Sequence, residues 1–178
     1  MKKTLAPIVA LAALLGAGSL LADTAPPTDP QIAHIAYTAG LLDVEAGKQA
    51  LKKSQNEDVR GFAQQMVGDH TAVNDQALAL VKKLNVTPED NPTSKSLAEQ
   101  ADAKRADLSD LKGDAFDKAY VDNEVAYHKT VNGALKNTLI PSAQNAELKS
   151  LLEKGLEIFE AHLQHAERLA QQLESGKS

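Results

Sequence analysis

The sequence predicts an all-α protein: a four-helix bundle with a shorter fifth helix in a long crossover between two helical hairpins. Ala, Leu, Lys, Gln and Glu dominate the composition and β-branched residues are sparse, which favours helix over strand. Four long segments carry apolar residues at helical spacing, and a fifth segment carries a weaker stripe. Proline and glycine residues separate these segments.

The first two helices are predicted to form a tight hairpin. Asp29 and Pro30 have the pattern of a helix start, and this first helix runs to about Lys53. Gly40 and Gly47 lie seven residues apart in it and would let a neighbouring helix approach closely. A capping-box pattern opens the second helix at Ser54-Gln-Asn-Glu57. Its apolar stripe is the most regular in the chain: Val59, Phe62, Ala63, Met66, His70, Val73, Ala77, Leu80 and Leu84.

The second half of the chain predicts the crossover helix and another hairpin. A weaker stripe over 94–111 predicts a half-exposed helix, which Gly113 ends. A fourth helix begins at Asp114, and Pro141 separates it from a last helix that frays near Gly176. Two hairpins joined by one long crossover have the topology of ferritin-like bundles.

The N-terminal segment predicts export. A basic start at 1–3 precedes an uncharged run over 5–21, and a cleavage site lies near Ala22, which together are typical of a secretory signal peptide. A retained membrane anchor is the alternative, because a run of this length is near the lower limit for spanning a bilayer. Small residues at 16–19 favour cleavage and a periplasmic product. The predicted organisation is a signal peptide at 1–22, a linker at 23–28 and a ferritin-like helical domain at 29–175.

Charge and cysteine content narrow the range of partners. The chain has no Cys, so it forms no disulfide and carries no lipidated cysteine. Without Lys2 and Lys3 the mature chain has 17 basic and 24 acidic residues, a net charge near −7. Such an acidic protein is not expected to bind nucleic acid or an anionic membrane surface through bulk electrostatics.

Five ionisable residues lie on or beside the apolar stripes of the four long helices. They are Glu45, His70, Glu124, His128 and His162. Burying such groups is costly unless they have partners, and bundles build metal sites from residues on separate helices. The set therefore favours a buried structural hydrogen-bond network, in which Glu124 and His128 pair along their own helix. The alternative is a site for one transition-metal ion, zinc, copper or iron, with His70 and His128 as the principal ligands.

No catalytic motif accompanies this set. The sequence has no cysteine nucleophile, no serine in a glycine-flanked turn and no glycine-rich phosphate loop. Enzymatic activity would need a metal ion for redox or hydrolytic chemistry. The expected function is that of a non-catalytic envelope protein in stress protection or partner binding, and the alternative is a periplasmic metal-binding protein.

Several short motifs occur along the chain, and the most specific is the run Phe62-Ala63-x-x-Met66-Val67-x-Asp69-His70. The others are Ala39-Gly40, Glu45, Gly47, Asn74, Phe116-Asp117-Lys118-Ala119-Tyr120, His128 and His162-Leu163. Together they resemble a family of exported bacterial proteins of ferritin-like fold and unknown function, which are described as outer-membrane or periplasmic proteins. The resemblance covers nearly all of the mature chain and implies a ferritin-like bundle in the cell envelope, without an established activity. Di-iron bundles use Glu-x-x-His on two helices, whereas Val67 and Phe159 stand three residues before His70 and His162, so a ferritin-type centre is not expected.

Overall fold

A computed structural model describes residues 25–176, which are helical with no β-strand among them. The predicted signal peptide and its cleavage site near Ala22 lie outside the described residues. The helices are α1 (Asp29–Lys53), α2 (Glu57–Lys83), α3 (Pro92–Asp110), α4 (Gly113–Ala134), α5 (Ile140–Ser142) and α6 (Ala146–Glu174). The predicted all-α fold is confirmed, with four long helices and the shorter α3 in the crossover. Within the described part of the chain, no helix is both long and apolar enough to span a membrane.

The two hairpins pack as α1 against α2 and α4 against α6, and α3 lies against α1. Gly47 allows the close approach of α1 and α2, because a Cβ there would lie 3.0 Å from the Ala63 carbonyl oxygen. Gly40 also allows α1 and α2 to approach closely, because a Cβ there would overlap the Asn74 side chain. The start of α2 differs from the prediction. Asn56, rather than Ser54, is the N-cap, and its side chain accepts hydrogen bonds from the first-turn amides.

A π-helical segment, Leu135–Leu139, interrupts the predicted continuation of α4 and leads into the short α5. The Ile140 amide bonds to the Leu135 carbonyl, five residues back. Pro141 follows directly, and proline has no amide to donate and its ring crowds the carbonyl four residues earlier. The wider π turn lies where Pro141 would otherwise disturb a regular α-helix.

A polar layer divides the interior of the bundle into two apolar cores. The first core contains Ala46, Ala50, Val59, Phe62, Ala63, Met66, Leu108, Phe116, Tyr120, Val121, Ala166 and Leu169. The second core contains Ile32, Ile35, Leu135, Leu139, Ala143, Leu148, Leu152 and Phe159. On each long helix, one or two buried ionisable residues lie between the positions that serve these two cores: Asp43, His70, Glu124 with His128, and His162. The candidate site therefore lies across the middle of the bundle.

Candidate metal centre

The polar layer contains five buried ionisable side chains from all four long helices. They are Asp43 on α1, His70 on α2, Glu124 and His128 on α4, and His162 on α6. Each is at most 3 % exposed. The long helices bring these residues together because each residue occupies a core-facing position of its own helix.

The three imidazole rings form a compact triangle. Their centroids are 5.2 Å apart for His70 and His162, 5.6 Å for His128 and His162, and 5.7 Å for His70 and His128. The Phe159 ring stacks on His70 at 4.4 Å with an interplanar angle of 11°. This stack separates the histidines from the second core and restricts the rotation of the His70 ring.

Hydrogen bonds on the outer side orient two of the rings. His128 Nδ1 lies 3.0 Å from the Glu124 carbonyl oxygen, to which it donates. His162 Nε2 lies 2.9 Å from a carboxylate oxygen of Asp69, which is half-exposed. Each bond defines the tautomer of its ring, because the nitrogen that donates carries the proton and the other nitrogen keeps its lone pair. The free lone pairs are then those of His128 Nε2 and His162 Nδ1, as in metal-binding histidines held by outer partners.

The atoms on the inner side of the layer lie close together but form no well-aligned hydrogen bonds with one another. Asp43 Oδ2 lies 3.0 Å from His70 Nε2 and 3.4 Å from His128 Nε2. Despite this proximity, none of these three atoms has a hydrogen bond of acceptable geometry within residues 25–176. Glu124 Oε2 and His162 Nδ1 are likewise buried and unpartnered there. One ligand atom from each of His70, His128 and His162 lies within 4.8 Å of the others, and the same holds for Asp43, Glu124 and His128.

Burial and mutual charge set the protonation of the layer. Burial opposes ionisation of Asp43, but the nearby charges of His70 and His128 outweigh it and lower the Asp43 pKa from 3.8 to about 2. Burial, reinforced by the charge of Asp43, raises the Glu124 pKa well above 4.5. Burial lowers the pKa of His128, and it lowers that of His162 from 6.5 to about 4 against the opposing effect of Asp69. The layer thus favours the neutral form of His128 and His162, the form that binds metals, beside one ionised carboxylate.

Four of the five predicted site residues lie in this layer: His70, Glu124, His128 and His162. Glu45 does not reach it, because its carboxylate is 41 % exposed and pairs with Arg105 of α3. Asp43 takes the α1 position in the layer and was missed from the sequence. A signal for it existed, since Asp43 follows Ala39 by four residues and precedes Ala46 by three on the same stripe.

A cavity of about 400 Å³ connects the layer with the space beneath α3. Asp43 and Glu124 line its inner end, and Lys104 and Arg105 lie on its α3 side. Lys104 is exposed and Arg105 is half-buried. The cavity therefore brings the space beneath α3 up to the two carboxylates, which themselves are buried.

The donor set does not fit the di-iron centre that a ferritin-like topology implies. Such centres use Glu-x-x-His on two helices and one Glu on each of the others. Val67, Val125 and Phe159 stand three residues before His70, His128 and His162, so no clustered histidine has the required Glu. Three imidazoles with two carboxylates fit one borderline transition-metal ion better, because imidazole suits zinc, copper and iron.

Comparisons with known proteins agree with the fold. The chain is similar to a solved structure described as "putative secreted protein DUF305 from Streptomyces coelicolor", with a TM-score of 0.67 and 13 % identity. The match covers 80 % of this chain and 91 % of that one. No curated protein matches the sequence. A family model described as a domain of unknown function, DUF4142, matches residues 17–169, and the chain belongs to that family.

Proposed function

We propose that this protein is an exported, non-enzymatic metal-binding bundle whose polar layer holds one divalent transition-metal ion. The observation that carries the proposal is the set of buried, unpartnered ligand atoms that face one another inside the layer. Buried polar atoms are nearly always hydrogen-bonded, so five unpartnered atoms in one place call for a common partner. A cation bound among either group of three converging ligand atoms would satisfy several of them at once.

His70, His128 and His162 would supply three nitrogen ligands, and Asp43 or Glu124 would complete the shell. Zinc and copper favour such an imidazole-rich set, and copper binds nitrogen ligands most strongly among the divalent ions of the series. Asp69 and the Glu124 carbonyl would hold the outer nitrogens of two of the ligands. Metal ions would reach the layer through the cavity beneath α3.

The test measures metal binding by the untagged protein after treatment with a chelator. Zinc, copper and iron are added separately, and both the bound stoichiometry and the melting temperature are recorded. A ligand that binds the folded form at about one hundred times its Kd stabilises it by about 2.7 kcal/mol. We expect one equivalent of bound metal and a rise in melting temperature that EDTA reverses. The absence of any shift with all three metals would contradict the proposal.

Two variants locate the site. His128→Gln keeps a side chain of similar size in the layer, and we expect it to lose most of the metal-induced stabilisation. Glu45→Gln is the matched control, because Glu45 pairs with Arg105 outside the layer. If His128→Gln kept the full shift, or Glu45→Gln lost it, the assigned ligands would be wrong.

A second candidate function is that of a non-catalytic envelope protein, acting in stress protection or partner binding, in which the polar layer is only structural. The His162–Asp69 hydrogen bond and the 3.0 Å contact of His70 with Asp43 favour it, since they resemble parts of a buried network. This candidate predicts that His128→Gln lowers the stability of the metal-free protein and that no metal raises the melting temperature.

Export is part of the proposal. It is supported by the predicted signal peptide at 1–22 and by the description of the similar Streptomyces coelicolor protein as secreted. We expect the protein in the soluble periplasmic fraction, with an N-terminus at Asp23. An uncleaved chain in the membrane fraction would instead support a retained anchor.

A further inference from the structure

A second cavity lies in the second apolar core, and Leu97 and Thr130 line both it and the cavity beneath α3. Its volume is about 610 Å³, and its walls come from residues 25–27, α1, α2, α3, α4, the π segment and α6. This is roughly the space of 20 water molecules at about 30 Å³ each. Protein interiors are close-packed and contain few voids larger than one water molecule, whereas ligand pockets span about 300–1,000 Å³. The cavity therefore has the size of a binding site rather than of a packing defect.

The chemistry of the lining selects an uncharged ligand. None of its lining residues, all within 25–176, is charged, although 24 % of the chain is Asp, Glu, Lys or Arg. The polar lining residues are neutral: Gln31, Asn74, Asn91, Thr93, Thr130 and Thr138. A charged ligand would lose hydration here without gaining a counter-ion, which is strongly unfavourable.

Two features of the walls maintain the space. Gly155 lines the cavity, and a Cβ built there meets only Phe159 and Val73 at ordinary contact distances of 3.6–4.0 Å. Helix packing thus does not demand glycine at this position, and a larger side chain would extend into the cavity. The π segment supplies Leu135 and Leu139 to the opposite wall, and π turns are frequent at functional sites.

We propose that this cavity binds an uncharged, largely hydrocarbon small molecule. The site is separate from the metal centre, although Phe159 contacts both: it lines the cavity and stacks on His70. A molecule in the cavity would gain affinity by removing its apolar surface from water against the Leu, Ile and Val side chains of the lining. The neutral polar residues would accommodate at most one hydroxyl or carbonyl group.

The probe is N-phenyl-1-naphthylamine, an uncharged apolar fluorophore, added to the purified protein. We expect saturable binding, and displacement by dodecanol at a concentration at least about tenfold lower than by dodecanoate at pH 8, because the carboxylate finds no cation in the lining. Non-saturable binding, or equal competition by the alcohol and the carboxylate, would overturn the proposal.

Matched leucine variants locate the binding. Gly155→Leu fills the cavity and should weaken probe binding by at least about tenfold. Gly61→Leu is the control on α2, because a Cβ at Gly61 meets nothing within 4 Å, and it should change binding by less than about twofold. If the two variants bind the probe equally well, the cavity is not the site. Helicity measured by circular dichroism shows whether Gly155→Leu folds, and Ala77→Leu, on the α2 wall, replaces it if it does not.

The His128→Gln variant separates this proposal from the metal proposal. Its probe binding should stay within about twofold of wild type, because His128 does not line the cavity. Loss of metal binding with retained probe binding supports both proposals, whereas retained metal binding with retained probe binding shows that the assigned metal ligands are wrong and leaves the cavity proposal standing. Loss of probe binding in His128→Gln, with its helicity intact, would overturn the assignment of the probe to this separate cavity.

Discussion

Replacing Glu124 by Gln is expected to stabilise the metal-free protein while weakening its affinity for metal. Burial is the main reason that the Glu124 pKa lies well above 4.5, and the nearby charge of Asp43 raises it further. If Asp43 and Glu124 were both ionised, no hydrogen-bond donor would lie between their carboxylates. A proton on Glu124 supplies that donor. We therefore expect the folded, metal-free protein to keep Glu124 protonated at neutral pH, and the unfolded chain to ionise it.

The size of the effect follows from the ordinary pKa of the group. Holding a carboxyl with an ordinary pKa of 4.5 in its protonated form at pH 7 costs about 3 kcal/mol. The folded state binds more protons than the unfolded state above pH 4.5, so this cost grows as the pH rises and is absent below that pH. Glutamine resembles the protonated acid and avoids the cost. Glu124→Gln should raise the free energy of unfolding by up to about 3 kcal/mol at pH 7 and by much less near pH 4.

Urea unfolding followed by circular dichroism, in the presence of a chelator, measures this difference at both pH values. Glu45→Gln is the control, since its exposed carboxylate should change stability by less than about 1 kcal/mol. The same Glu124→Gln protein should show a smaller metal-induced rise in melting temperature. A loss of stability at pH 7 would refute the reasoning, because it would mean that an ionised Glu124 already has partners in the metal-free layer.

Three further predictions concern the supporting structure. Asp69→Asn should weaken metal binding by about 10–100-fold, measured by competition with a chromophoric chelator, because Asp69 orients His162; unchanged affinity would exclude that role. The contribution of His162 to the free energy of unfolding of the metal-free protein should fall by at most about 3 kcal/mol as the pH drops from 6.5 to 4, because the unfolded chain protonates His162 before the folded protein does; in urea titrations, the difference between wild type and His162→Gln should change by this amount over that range. Gly47→Ala should lower the free energy of unfolding by about 1–3 kcal/mol, because the added methyl group meets α2, and a lower melting temperature would show it. Gly61→Ala, on an open surface, should instead raise the free energy of unfolding by about 0.5–1 kcal/mol.

The fold was predictable because helical periodicity reports directly on burial. Each long helix has one apolar face that must be covered, and the proline and glycine positions define the connections. His70, His128 and His162 stood out for the same reason, since each interrupts a stripe that is otherwise apolar. The π segment was not predictable in this way, because residues 135–139 show no local signal beyond the proline that follows them.

The candidate site was only partly predictable because its last contacts join separate helices. Glu45 and Asp43 both lie near the edge of the α1 stripe, and only Val44 separates them. The partner of Glu45, Arg105, is on α3, and it draws the Glu45 carboxylate outward. Asp69 lies about 100° around α2 from His70, a position that predicts a solvated side chain. It is half-exposed, yet it reaches His162 on α6, because the space between α2 and α6 admits side chains from both positions.

The direction of the hydrogen bonds is the strongest physical argument for a ligand shell over a structural network. In a structural network, the buried groups satisfy one another, because every unpaired member costs stability. Here the good hydrogen bonds of His128 and His162 run outward, to the Glu124 carbonyl and to Asp69. The atoms on the inner sides are left facing one another with lone pairs and few protons, an arrangement that repels unless a cation or a shared proton lies between them. Well-packed apolar residues are often at least as stabilising as buried ionic groups, so the presence of five such residues between two apolar cores favours binding over a purely structural role.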